Sequence, residues 1–151
     1  MKKDIHNNFI KNGSLCIKEL KVIKFNGDKE KIDEFLNGQI TSDHKQLTNN
    51  AAQLSSICNH KGQVIADFIV NKSNDEYRFI INDALKNILI DELSPFIKLH
   101  RVEIKETNNI VIGNISTKGN LEYSYCSNKN INLSISVEDH DFKYKDSISI
   151  Q

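Results

Sequence analysis

Asp67 is the side chain of this sequence best placed to do chemistry. It lies in the apolar run Val64–Val70, with Ala66 before it and Phe68 after it. An unpaired carboxylate is costly to bury, so an apolar run that contains one must compensate the charge. A backbone donor, a cationic side chain or a polar ligand could do so, and only a ligand makes the position a binding site. A structural ion pair produces the same pattern, so the residues alone leave both interpretations open.

The segment around Asp67 reads as a β-hairpin. Residues 53–58 and 63–70 are apolar runs joined by Asn59-His60-Lys61-Gly62, and glycine suits a turn position with positive φ. Alternation along the second run places Asp67 on the same face as Ile65 and Ile69, opposite Ala66 and Phe68.

Cysteine and histidine spacings give weaker signals. The three cysteines are Cys16, Cys58 and Cys126, and none forms a CxxC pair. The pattern therefore predicts reduced thiols and no metal site, with Cys58 in the core and His60 in a loop. Asp43-His44 and residues 139–141 are expected in surface turns.

Composition excludes several classes of protein. The 151 residues carry 20 Lys+Arg against 20 Asp+Glu, a balance that argues against a main role in binding nucleic acid. The first residues lack the apolar core of a signal peptide, and no apolar run reaches membrane-spanning length. We expect a cytoplasmic protein with no membrane association.

Periodicity predicts strands and helices in alternation. The expected elements are a strand within Ser14–Phe25, a helix capped by Asp28 and ended by Asn37-Gly38, the hairpin, a strand Glu76–Asn82, a helix Asp83–Ile97 and a strand His100–Lys105. From Asn108 onward the sequence predicts short strands and no helix. The candidate strands are Ile110–Ser116, Leu121–Cys126, Ile131–Val137 and Asp146–Ile150.

This order predicts an α+β fold. A ferredoxin-like βαββαβ-type layer, in which two helices cover one face of an antiparallel sheet with an extra strand, is followed by a small β-rich unit. The expected divisions are a flexible amino terminus (1–13), an α+β domain (14–106) and a β-rich unit (107–151) that belongs to a second domain.

Three motifs resemble a known family. FLNGQITSD (35–43), QLSSICNHKG (53–62) and VIADFIV (64–70) are similar to the amino-terminal folate-binding part of the GcvT/YgfZ superfamily. That superfamily contains the glycine-cleavage aminomethyltransferases and the YgfZ-type proteins linked to tRNA modification and iron–sulfur maintenance. The resemblance covers about Val22 to Arg101 and implies that residues 14–106 form a folate-binding domain.

Within the superfamily the motifs look more like the YgfZ branch. Aminomethyltransferases usually carry a pair of aspartates and a pair of glycines in this hairpin, where this chain has Ala66-Asp67 and Gly62-Gln63. Asp67 matches the second acid, which in the transferases lies near the reactive nitrogen of the folate.

The same matching implies further tetrahydrofolate contacts. Leu54 falls where the transferases place an aromatic residue against the cofactor, Ile69 and Asn71 continue the lining strand, and Asn82 matches an asparagine of the family. These residue types suit a pterin, which needs polar groups at its edge and apolar walls on its faces. Leu54 and Ile69 are equally typical of a core, and Asn82 is also a good helix cap.

The YgfZ hallmark KGCYxGQE is not among these 151 residues, since Cys126 in YSYCS does not match it. We therefore expect an amino-terminal portion or a shortened relative. The resemblance implies a monomeric folate-binding protein that supports iron–sulfur enzymes, including those that modify tRNA, and is not catalytic by itself. The alternatives are a tetrahydrofolate-dependent aminomethyltransferase and a ligand-free scaffold for a protein partner.

Overall fold

The computed structural model describes residues 13–116, 124–127 and 132–142, in which nine strands and two α-helices are formed. In chain order they are β1 (Gly13–Cys16), β2 (Leu20–Asn26), α1 (Lys29–Gln39), β3 (Ala51–Cys58), β4 (Val64–Ser73), β5 (Glu76–Asn82), α2 (Asp83–His100), β6 (Glu103–Glu106), β7 (Ile110–Ser116), β8 (Ser124–Ser127) and β9 (Asn132–Glu138).

Residues 19–107 form one compact unit built on a five-stranded sheet. Its strand order is β3-β4-β5-β2-β6, and all neighbouring strands are antiparallel. Removing the edge strand β3 leaves β4-β5-β2-β6, which is the order of a ferredoxin-like βαββαβ layer. The α+β class and the extra strand predicted from the sequence are confirmed.

The core of this unit lies between one face of the sheet and the two helices, and we call that side the helix face. Alternate residues of β5, from Tyr77 through Phe79 to Ile81, point into it and are buried, as the alternation predicts. Phe79 stacks on Phe68 of β4 with ring centroids 4.2 Å apart and meets Phe25 of β2 edge-on at 4.7 Å. The core therefore joins three strands through aromatic packing, which favours such geometries.

The helix boundaries differ from the predicted ones. Asn37-Gly38 does not end α1, because the Ile40 N–H still donates to the Leu36 carbonyl at 3.1 Å and the helix runs to Gln39. Asp28 precedes α1 but makes no side-chain cap, and its carboxylate instead lies 3.5 Å from Lys31 Nζ.

Helix α2 is capped by Asn82, whose Oδ1 accepts from the Ala84 N–H at 2.9 Å, so Asp83 is the first helical residue. It continues through Pro95 to His100, beyond the predicted end, because Leu93 and partly buried Ile97 pack in the core on either side of the proline. No helix in the described part of the chain is both long enough and apolar enough to span a bilayer.

The second unit combines residues 13–18 with the described residues after 107, and it is a four-stranded antiparallel sheet in the order β1-β7-β9-β8. The predicted strand within Ser14–Phe25 is therefore two strands in two sheets, since β1 pairs with β7 and β2 pairs with β5 and β6. Local alternation could not show this because it carries no information on the partner strand. The candidate strand 146–150 and residues 1–12 lie outside the described residues.

Candidate functional site

The β3–β4 hairpin is held by the side chain of Asn59. Its Oδ1 accepts from the backbone N–H groups of Lys61 and Gln63 at 2.9 and 3.0 Å, and Gly62 takes a φ of +78°. Such side-chain bonds to the backbone are the usual role of asparagine in turns. The turn predicted at Asn59 to Gly62 is therefore present, and the side chain of Asn59 and the positive φ of Gly62 form it.

A β-bulge next to this turn sets the register of the hairpin. Ile57 pairs with Ala66 but Cys58 pairs with Val64, so Ile65 is an extra residue on β4. Ile65 packs against the core on the helix face, and the prediction that it shares a face with Asp67 was wrong. The bulge shifts the pairing so that Ser56 lies directly opposite Asp67.

Asp67 lies on the other side of the sheet, which we call the second face. Its neighbours Ala66 and Phe68 are buried on the helix face, while Asp67 itself is exposed. Within the described residues its carboxylate has no hydrogen-bond or ion-pair partner. Water, and not a backbone donor or a cation, therefore compensates the charge, and the carboxylate is free to accept hydrogen bonds from a ligand.

Leu54 and Ile69 form an apolar pair beside Asp67. They lie directly opposite each other on β3 and β4, two residues along from Ser56 and Asp67 on the same face. Leu54 is 62% exposed and Ile69 is half-buried, so neither is the fully buried core residue that the pattern alone allowed. A carboxylate next to an exposed apolar surface suits a flat heterocycle with polar edges.

Asn71 and Asn82 have different surroundings. Asn71 follows Ile69 on the same face but is completely buried. Its Oδ1 accepts from Arg78 Nε at 3.2 Å, and its Nδ2 has no partner among the described residues. Buried amide hydrogens are rarely left unpaired, so a further acceptor would satisfy Nδ2. Asn82 lies on β5 and uses Oδ1 to cap α2.

The segment after α1, which sequence reasoning left without a role, lies along the free edge of β3. The Thr41 N–H donates to the Ser56 carbonyl at 3.0 Å, and the Ser42 hydroxyl donates to Gln53 Oε1 at 2.7 Å. Covering an edge strand in this way protects its backbone groups from pairing with another chain. The polar residues of this segment were already visible in the motif FLNGQITSD. That they cover an edge strand follows only from the folded chain.

The buried side chain of His44 connects the segment after α1 to the core. It is 1% exposed, its Nε2 lies 3.1 Å from Asp33 Oδ1, and its ring meets Tyr77 edge-on at 5.1 Å. The predicted surface turn at Asp43-His44 was wrong for His44, because the short 3₁₀ turn His44–Gln46 directs the imidazole inward.

Cys58 is exposed at the end of β3, so the prediction of a core cysteine was wrong. With His60 and Phe96 it lines an open cleft of about 590 Å³ between the hairpin turn and α2. Across the described ranges, no three His, Cys, Asp or Glu side chains are grouped to hold a metal ion.

Comparison with known proteins gives partial sequence matches. The chain is 28% identical over 87 residues to "tRNA-modifying protein YgfZ" of Photobacterium profundum, a match that covers 58% of this chain and 26% of that protein. The protein of the same name from Vibrio atlanticus is 29% identical over 87 residues. An "Aminomethyltransferase" of Staphylococcus carnosus is 38% identical over 52 residues, or 34% of this chain and 14% of the relative. The chain thus spans about a quarter of the length of the first of these relatives.

The fold has a counterpart among solved structures. The glycine cleavage system aminomethyltransferase T from Bartonella henselae superposes with a TM-score of 0.61 over 73% of this chain and 31% of that protein. The sequence identity is 15%, so this likeness concerns the fold. No family model matches the sequence.

Proposed function

We infer that this chain, which is related to the GcvT/YgfZ superfamily in sequence and fold, binds tetrahydrofolate on the second face of the β3–β4 hairpin. The observation that carries the proposal is the exposed carboxylate of Asp67, without a partner in the described residues, beside the exposed side chain of Leu54. Neither side chain is needed for the packing of the core, so both are available to a ligand.

The residues present fit a reduced pterin. The carboxylate of Asp67 accepts hydrogen bonds from ring N–H groups, and the apolar pair of Leu54 and Ile69 covers one face of the ring. Asn71 lies two residues beyond Ile69 on β4 and carries a buried amide donor that has no partner within the described residues, and Asn82 is the last residue of β5. Bound tetrahydrofolate would supply a nitrogen that can accept a one-carbon unit.

The YgfZ type is the preferred form of this function. Two proteins named tRNA-modifying protein YgfZ match over 87 residues, and the hairpin has Ala66 where transferases carry their first acid. In this form the protein is a cytoplasmic monomer that supports iron–sulfur enzymes and modification of tRNA without binding nucleic acid itself. Light scattering of the purified chain would test the monomeric state.

A titration of tetrahydrofolate against the wild-type protein and Asp67→Asn tests the binding site. The variant keeps the size of the side chain but loses the charge, so the affinity should fall about ten- to hundredfold. The control is Asp91→Asn, which removes an exposed carboxylate from α2 and should leave the affinity unchanged.

Equal, saturable affinities of the wild type and Asp67→Asn would remove Asp67 from the site. If tetrahydrofolate neither binds nor raises the melting temperature of the wild type, folate binding is refuted and a scaffold for a protein partner is favoured.

An aminomethyltransferase is the second candidate, favoured by the 38% identity over 52 residues to the Staphylococcus carnosus protein. Asp67 would then tune the nitrogen that accepts the one-carbon unit. Release of ammonia from an aminomethyl-lipoyl carrier protein in the presence of tetrahydrofolate would support this candidate. Binding of tetrahydrofolate without ammonia release would favour the YgfZ type.

A further inference from the structure

Thr41 and Ser56 form a fixed pair of hydroxyls at the edge of the hairpin. The Thr41 N–H donates to the Ser56 carbonyl at 3.0 Å, and the Ser56 N–H donates to Thr41 Oγ1 at 3.1 Å. The two hydroxyl oxygens are themselves 3.0 Å apart. The bond from the Ser56 N–H holds the Thr41 hydroxyl in place, and the bond between the two oxygens holds the Ser56 hydroxyl against it before any ligand arrives, which lowers the entropic cost of using them.

This pair has one hydroxyl hydrogen to spare. Each hydroxyl carries one hydrogen, and the bond between the two oxygens uses one of them in either direction. Thr41 Oγ1 already accepts from the Ser56 N–H, and within the described residues neither hydroxyl has another acceptor. Whichever oxygen donates inside the pair, the other retains an O–H that can donate outward.

The spare donor lies beside the free acceptor of the site. Ser56 is the cross-strand partner of Asp67, and directly opposed side chains have Cβ atoms about 4.5–5.5 Å apart. Ser56 is half-buried, while Thr41 and Asp67 are exposed, so a ligand can reach all three. The second face thus offers a carboxylate acceptor and a hydroxyl donor side by side.

Tetrahydropterins carry the complementary pattern. In the reduced ring N5 bears a hydrogen and donates a hydrogen bond, and the oxygen of the neighbouring C4 carbonyl accepts one. A donor and an acceptor thus lie side by side on the ligand. A 4-amino analogue replaces the acceptor by a donor, and an oxidised pterin replaces the N5 donor by an acceptor that faces the carboxylate.

We propose that the Thr41–Ser56 hydroxyl pair donates to the C4 carbonyl of the pterin while Asp67 accepts from N5–H, so that the site selects reduced 4-oxopterins. This inference rests on the proposed function and adds to it the residues that determine specificity. A site that hydrogen-bonds a ligand group discriminates against analogues lacking it because its own polar groups are left unpaired.

The test compares the affinities for tetrahydrofolate and for its 4-amino counterpart, tetrahydroaminopterin, which has an amino group in place of the C4 carbonyl and lacks the hydrogen on N3. The change in preference between wild type and variants therefore carries the test. The wild type should prefer tetrahydrofolate by about tenfold or more. Ser56→Ala alone leaves the Thr41 hydroxyl able to donate, so the preference should only decrease. The double variant Thr41→Val/Ser56→Ala should bind the two ligands about equally.

Ser94→Ala is the control, because it removes an exposed hydroxyl from α2 and should retain the wild-type preference. Circular dichroism must show that each variant is folded; where the double variant does not fold, the decrease in preference of Ser56→Ala alone carries the test. An unchanged preference in a folded Ser56→Ala variant, or none in the wild type, would overturn the hydroxyl proposal while leaving folate binding intact. Failure of the wild type to bind tetrahydrofolate would refute the proposed function itself.

Discussion

At the scale of single residues, the structure separates side chains that stabilise the fold from side chains that do not. Phe68 and Val70 alternate with Asp67 and Ile69 on β4, and the first two are buried against the helices. Asp67 and Leu54 contribute little to the core, so a substitution there should affect ligand binding without affecting stability.

Leu54→Ser tests this separation. Because Leu54 is 62% exposed, we expect the free energy of unfolding to change by less than about 0.5 kcal/mol. Loss of the apolar wall should lower tetrahydrofolate affinity by about tenfold, a prediction checked by urea unfolding and ligand titration on the same samples. A large loss of stability would show that Leu54 is part of the packed structure and would contradict its assignment to the site.

At the scale of elements, α2 depends on the cap provided by Asn82. Asn82→Ala should lower the free energy of unfolding by about 1 kcal/mol, because the Ala84 N–H loses its acceptor. Asn82→Ser can still cap the helix and should retain most of the stability. Denaturant unfolding measures both, and equal destabilisation by the two variants would contradict the capping role.

The surroundings of the Tyr77 phenol on β5 predict a dependence of stability on pH. Burial of the Tyr77 phenol, helped by the nearby Asp33 carboxylate, raises its pKa above the ordinary value of 10.0. The folded state therefore holds the phenolic proton more tightly than the unfolded state. The resulting contribution to the free energy of unfolding is fully present below about pH 10 and is lost as the pH rises through the pKa of the folded state.

Urea unfolding of the wild type and Tyr77→Phe at a series of alkaline pH values should therefore give curves that differ in slope. The wild type should lose stability more steeply above about pH 10, because phenylalanine cannot ionise. Parallel curves for the two proteins would show that ionisation of Tyr77 is not coupled to folding.

At the scale of the whole molecule, residues 19–107 contain every residue of the large hydrophobic core. A fragment of residues 19–107 should fold by itself and unfold cooperatively, since compact units with their own core behave as domains. Near-ultraviolet circular dichroism and urea unfolding of the fragment check this. A gradual, non-cooperative transition would show that the unit depends on the remainder of the chain.

Local sequence signals identified most of the elements in this unit. Strand β5 has the predicted bounds, and the hairpin turn forms at Asn59 to Gly62 as its residues require. The misplaced features depend on distant contacts: α1 passes Asn37-Gly38, α2 continues beyond its predicted end at Ile97 to His100, and His44 turns inward to Asp33. In each case packing against the core outweighs a local preference of modest energy.

The α+β class, the hairpin and the acid in an apolar strand can be predicted from the order of the residues, because alternation and turn chemistry act between neighbours along the chain. The exposure of Asp67 on the second face and the bulge at Ile65, which sets Ser56 opposite it, became known from the folded chain. The same is true of the position of Thr41 against the edge of β3. The reason is that register and exposure depend on which backbone groups pair across the sheet, and those partners are far apart in sequence.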